Sequence, residues 1–164
     1  MKFINLTRHT EIGANSYYLE TGGERLILDS GMHPKEVGEN ALPNWKPVEG
    51  RTIDAILISH AHQDHIGTLP VLMRQQPHAR VFMTEPTSEI GSLLLHNSVN
   101  VMTRQREDLG LTIYPLFGHR EIDRSGQRWY RCRYRQPYTT TGDRVANGGA
   151  STFEFWDAGH VVGS

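Results

Sequence analysis

The chain has 164 residues, enough for one domain or part of a larger one, with 37% hydrophobic and 21% charged residues and a formal net charge of -1. It is too apolar for a disordered chain, and its near-zero charge supplies no global field for a polyanion, so any nucleic-acid contact must come from a local patch. A single cysteine, Cys132, excludes an internal disulfide and fits a reducing, cytoplasmic setting. No run approaches the ~20 apolar residues of a membrane helix, and Met1-Lys2-Phe3-Ile4-Asn5-Leu6 lacks the pattern of a secretory signal.

In chain order, Asn15 to Glu20 reads as a strand, Thr21-Gly22-Gly23-Glu24 as a hairpin turn, and Arg25 to Asp29 as the returning strand. Residues 32 to 52, rich in Pro, Gly and charge, read as a loop. Ile53 to Ser59 is a nearly unbroken apolar run whose length favours a strand buried on both faces. Thr68 to Gln76 reads as a short helix stopped by Pro77, and Arg80 to Thr84 as another strand. Pro86 suits the first turn of a helix capped by Thr84 or Glu85. Ile90, Leu93, Leu94, Asn97, Val101 and Arg104 follow at helical spacing and carry it to about Glu107. His119 to Gln127 reads as a short helix, Tyr130 to Tyr138 as a strand, and the alternating Thr152 to Asp157 as the last strand. Strand, helix, strand, helix is α/β logic.

Between the apolar run and the first helix lies His60-Ala61-His62-Gln63-Asp64-His65. Imidazole nitrogens and carboxylate oxygens are the usual non-sulfur ligands of zinc. His60 and His62, two apart in an extended segment, project to one side and can chelate one ion, while Asp64 and His65 on the turn beyond can reach a second. The bland alternative is a polar turn with solvent-facing histidines, which gains nothing structurally from crowding three imidazoles and a carboxylate. Gly67 is read as the point where the backbone bends before the helix.

The pattern resembles motif 2 of the metallo-β-lactamase superfamily. Leu28-Asp29-Ser30-Gly31 is similar to its motif 1, whose aspartate supports the metal loop, and Asp157-Ala158-Gly159-His160-Val161-Val162-Gly163-Ser164 to its motif 3, whose histidine is the third ligand of the first ion. The run from Ile53 to Gly67, then Leu69-Pro70 and Met83 to Thr87, resembles the β-CASP nuclease branch, which contains the nuclease subunit of the cleavage and polyadenylation machinery.

The resemblance implies an α/β metallo-β-lactamase sandwich of the αβ/βα type, present over residues 1–164 as an incomplete N-terminal portion cut after motif 3, with an uncovered sheet face through which the chain self-associates. It implies zinc, one or two ions, with His60, His62 and His160 holding the first. Asp64 and His65 contribute to the second, Asp64 also orients the nucleophile, and Asp29 supports from behind. The implied activity is hydrolysis of RNA or DNA phosphodiesters by a metal-activated hydroxide. Because the family's bridging aspartate would fall after Ser164, the expectation for these residues is at most about one tightly held zinc, at His60, His62 and His160, and poor turnover. A small-molecule thioesterase or lactonase and an inactive metal-binding module are the alternatives. Arg131, Arg133 and Arg135 would share one face of a strand, where they could follow a phosphate backbone or blunt a sheet edge against aggregation. His9, His33, His78, His96 and His119 lack such a context and are expected at surface or helix-face positions, and Cys132 is expected to be packed.

Overall fold

A computed structural model describes residues 1–8, 13–141, 152–157 and 160–163. The chain starts as a meander: β1 (Lys2–Asn5), β2 (Tyr17–Thr21) and β3 (Glu24–Leu28) pair antiparallel. The β2–β3 hairpin closes on Gly22 and Gly23, both at positive φ (59° and 85°), the conformation a two-residue turn between right-twisted strands demands. Three parallel strands follow, β4 (Ala55–Leu57), β5 (Arg80–Thr84) and β6 (Trp129–Cys132), giving one six-stranded sheet in the order β1-β2-β3-β4-β5-β6. The apolar run shrinks to three paired residues, all buried, as a strand covered on both faces should be.

The crossovers place helices on one face. They are α1 (Gln63–Ile66), α2 (Leu69–Gln75), α3 (Glu85–Leu109) and α4 (His119–Gly126). Thr84 caps α3 by accepting the Thr87 N–H, and Gly110 ends it in the left-handed region at φ 65°. The regularly spaced Ile90, Leu93 and Val101 are not the buried side of α3: they are exposed, and Thr87, Ser88, Gly91, Leu95, Ser98, Val99 and Met102 face the core. Small side chains let the helix axis come close. A Cβ on Gly91 would stand 2.6 Å from Ile66 Cδ1, so α3 seats directly on α1.

A second sheet, β7 (Tyr138–Thr139), β8 (Thr152–Asp157) and β9 (His160–Gly163), lies on the other face. Tyr138, Phe153 and Phe155 form one apolar cluster with Leu26, Ala55, Leu57, Phe82 and Cys132, so the expected bare face is covered over these strands. Cys132 packs inward as expected, and burial pushes its thiol up to about 12. The expected strand over Tyr130 to Tyr138 stops at Cys132, because the Tyr138 hydroxyl accepts the Arg133 N–H and Arg135 turns the chain at φ 55°. No helix among the described residues is long and apolar enough to cross a membrane.

The four parallel strands end on one rim, and there two loops are zipped together. Asp29 N–H donates to Leu57 C=O (2.9 Å), Ser30 N–H to His65 C=O (2.7 Å), Met32 N–H to Gln63 C=O (2.9 Å) and Thr68 N–H back to Ser30 C=O (2.9 Å). The Ser30 and Thr68 hydroxyls, both buried, lie 3.0 Å apart across the same seam. The approach is so close that a Cβ on Gly31 would stand 1.7 Å from the Asp64 carbonyl oxygen. Gly67 also owes its place to room, not to a bend. Its φ is -59°, and a Cβ would meet Met32 Cβ at 2.6 Å.

Gly31→Ala must therefore open the seam, whereas Gly50→Ala, at φ +74° with nothing within 4 Å of the new Cβ, meets only backbone strain. In denaturant unfolding, Gly31→Ala should cost at least about 3 kcal/mol and Gly50→Ala about 1 kcal/mol. Equal losses would contradict the packing described.

Candidate functional site

The seam brings Asp29, His60, His62, Asp64 and His65 to one notch beyond the ends of β3 and β4. Asp29, 7% exposed, is held in the left-handed region at φ 61°, a conformation in which few residues other than glycine, asparagine and aspartate settle. The twist turns its carboxylate back over β4. Oδ1 accepts the Ser59 N–H (2.7 Å), and Oδ2 accepts the Ser59 hydroxyl (2.8 Å) and lies 2.8 Å from His65 Nδ1. With Asp29 as an acceptor, the His65 proton sits on Nδ1 and Nε2 faces the notch.

His60 and His62 meet as the two-residue spacing requires: Nε2 of His60 and Nδ1 of His62 are 3.1 Å apart, and the half-buried His60 ring lies 4.0 Å from that of His65, centroid to centroid. His65 Nε2 stands 3.5 Å from Asp64 Oδ2. Crowding separates the two imidazoles electrostatically. Burial and the neighbouring His65 hold His60 below the ordinary imidazole range, despite the opposing pull of Asp29. Burial opposes the charge on His65 too, but the hydrogen bond and charge of Asp29, with the charge of Asp64, outweigh it and hold His65 above that range.

The sequence pattern did not single out Asn15, from the segment before β2. Its backbone N–H donates to Asp64 C=O (3.0 Å) and its carbonyl accepts the Gly31 N–H (2.9 Å), while its side-chain nitrogen reaches Asp64 Oδ2 (3.1 Å) and His65 Nε2 (3.2 Å). Ser59, which ties Asp29 to both ring systems, was equally silent. Neither belongs to a residue type or spacing that marks a site. Only the zipped loops make them neighbours.

Among the described residues no group of three or more His, Cys, Asp or Glu side chains stands in a posture that could hold a metal ion. The reason is visible in the partners: His60 and His62 face each other, and His65 Nε2 and Asp64 face Asn15. The donor set nonetheless suits one. The 3.1 Å between the His60 and His62 nitrogens is close to the roughly 3.3 Å between two nitrogens on a tetrahedral zinc. His160 enters as the first residue of β9, paired with Asp157, and its side chain lies outside the described residues.

Arg131, Arg133 and Arg135 do not share a face. Arg131 lies on the helix side with Trp129, beside Ser88 and Asp123, Arg133 follows the strand, and the Arg135 guanidinium sits 5.8 Å over the Trp156 ring. His33 is buried, not a surface residue: its Nδ1 accepts the N–H groups of Lys35 and Glu36. His78 is exposed, and His9 lies outside the described residues. His96 and His119 stack between α3 and α4, with Nδ1 atoms 2.8 Å apart and Asp123 on the far side of His96.

Residues 9–92 match the family model described as the metallo-beta-lactamase superfamily. Endoribonuclease ysh1 of Schizosaccharomyces pombe is 31% identical over 165 residues, covering 100% of this chain and 20% of that protein. Cleavage and polyadenylation specificity factor subunit 3 of Dictyostelium discoideum is 32% identical over 158 residues, covering 94% of this chain and 19% of that protein. The chain thus spans about a fifth of the length of these curated relatives. Among solved structures, an archaeal metallo-beta-lactamase superfamily protein from Sulfolobus tokodaii aligns with a TM-score of 0.50 at 15% identity, covering 92% of this chain and 58% of that one. A beta-lactamase domain protein from Burkholderia ambifaria aligns with a TM-score of 0.50 at 17% identity, covering 93% and 44%. At such identities the structural likeness speaks to fold alone.

Asp29→Asn should lower the stability of the metal-free protein by about 2–3 kcal/mol, because a buried acceptor of three hydrogen bonds loses its charge. Since His65 is raised in the folded state, its share of that stability is complete below the unfolded imidazole value of about 6.5 and is lost as pH rises through the folded value. The gap in unfolding free energy between wild type and Asp29→Asn should therefore narrow from mildly acidic to mildly alkaline buffer. A gap that widens would contradict the Asp29–His65 link.

Proposed function

The chain belongs to the metallo-beta-lactamase superfamily, and from that premise we propose that it forms the catalytic notch of a zinc-dependent phosphodiesterase of the β-CASP branch acting on RNA. The observation that carries the reading is the Asp29–His65–Asp64 chain of contacts beside the paired His60 and His62, reinforced by similarity to endoribonucleases along the whole chain. His60 and His62, joined by His160 from β9, would hold one ion. Asp64 and His65 would contribute to a second. When bound, the ions supply Lewis-acid activation of water and neutralisation of charge on the scissile phosphate.

The chain's own residues do the rest. Asp29 holds His65 in the tautomer that leaves Nε2 as a lone-pair donor, and Ser59 Oγ, bonded to Asp29, lies 3.0 Å from His60 Nδ1 and steadies that ring as well. The Asp64 carboxylate would orient the attacking water. Arg133 and Arg135, beyond the end of β6, sit at the same sheet rim as the notch. Two strand spacings of about 4.8 Å separate β6 from β4, so this corner can meet the phosphate backbone a short way along from the reacting phosphate.

Two measurements test the proposal. In zinc titrations, His62→Ala should weaken binding at least about tenfold, whereas the exposed His78→Ala should leave it unchanged. In single-turnover assays on fluorescent single-stranded RNA with added zinc, the 164-residue chain should cleave slowly. Asp64→Ala should cut that rate by about 100-fold or more, and the His60→Ala/His62→Ala double variant should abolish it. Equal zinc affinities for the two single variants, or hydrolysis of thioesters but not RNA, would overturn the reading.

A further inference from the structure

We propose that Asn15 is a placeholder for the second cation: its side-chain amide occupies the lone pairs of Asp64 and His65 in the metal-free protein, and must be displaced before an ion can bind between them. The inference rests on the functional reading above and extends it to a residue that sets which half of the notch fills first.

The Nδ1 proton of His65 faces Asp29 Oδ2 at 2.8 Å, so the neutral ring has a single in-plane lone pair, on Nε2. That lone pair meets the Asn15 side-chain nitrogen at 3.2 Å. An sp² nitrogen with one lone pair can accept a hydrogen bond or ligate an ion, but not both. The same amide nitrogen donates to Asp64 Oδ2 at 3.1 Å, so it bridges the two groups, themselves 3.5 Å apart, that a second ion would bridge.

The amide is not free to turn. Tyr17 OH donates to Asn15 Oδ1 (3.3 Å), and a flipped amide would press its carbonyl oxygen against the Asp64 carboxylate. The backbone is fixed as well, through Asp64 C=O on one side and Gly31 N–H on the other. Asn15 is therefore built into the seam with its donor group aimed at the ligand pair. No such third party stands between His60 and His62, whose nitrogens face each other directly at 3.1 Å. An ion at the His60–His62 side need replace only the contact those two rings make with each other, whereas one at the Asp64–His65 side must also displace the anchored amide of Asn15. Filling is then sequential.

The test is a zinc titration of the 164-residue chain with ¹⁵N-labelled histidine at one fixed pH, followed through the ring resonances of His65. Asn15→Ala removes the bonds that the ion must break, and should bring half-saturation of His65 at about tenfold lower zinc than wild type. Tyr17→Phe leaves the amide in place but releases its anchor, and should shift the same midpoint in the same direction by about threefold. If Asn15→Ala proves unfolded, Tyr17→Phe decides alone. Midpoints that stay put or move to higher zinc would overturn the placeholder, leaving the metal-site reading intact because wild-type His65 still responds. His65 resonances indifferent to zinc in wild type and variants alike would overturn both.

Discussion

The carboxylate of Asp29 is the point on which the rest of the notch depends. Buried, and held at φ 61°, it accepts from the Ser59 backbone, the Ser59 hydroxyl and the His65 ring, and so joins the end of β3, the end of β4 and the first turn of α1. A buried carboxylate is tolerable only when such partners replace water. Here the partners are also the elements that carry the chemistry. The cost of an unusual backbone conformation is met by the surrounding seam of main-chain hydrogen bonds, which leaves the loop no other path.

From this constraint the order of the site follows. Parallel strands bring their carboxyl ends to a common rim, the place where α/β sheets present loops for ligands. The seam then fixes the spacing of two loops that would otherwise move independently, with Gly31 admitting the close backbone approach. Within the notch the polar side chains meet one another: histidine faces histidine, and an amide faces both the carboxylate and the imidazole. On the functional reading proposed above, an ion would exchange these partners while the seam of main-chain bonds keeps the scaffold in place.

Much of this was legible in the sequence where burial imposes a pattern. The apolar run before the histidines had to be a doubly covered strand, and the hairpin glycines and the Thr84 cap left local signatures. Signals failed where tertiary context decides. β1 has a mostly exposed pattern with Phe3 in solvent, so no period marks it. α3 carries its regular apolar stripe outward and docks through small residues, because proximity to Ile66 matters more there than buried area. The arginine-rich segment carries aromatics at strand-like intervals, yet a backbone bond to the Tyr138 hydroxyl and the turn at Arg135 end the strand early. In the site, the metal-type donors stand out by type and spacing, while Asn15 and Ser59 become visible only once residues 30 to 50 positions apart are zipped together.

The central claim is that Asp29 sets the tautomer of His65, and so the direction of its lone pair, before any ion arrives. Long-range ¹H–¹⁵N correlation of the His65 ring in metal-free protein, in mildly alkaline buffer, reads this directly. The account predicts a proton on Nδ1, deshielded by its bond to Asp29, and an unprotonated Nε2. A proton found on Nε2, with Nδ1 bare, would contradict it.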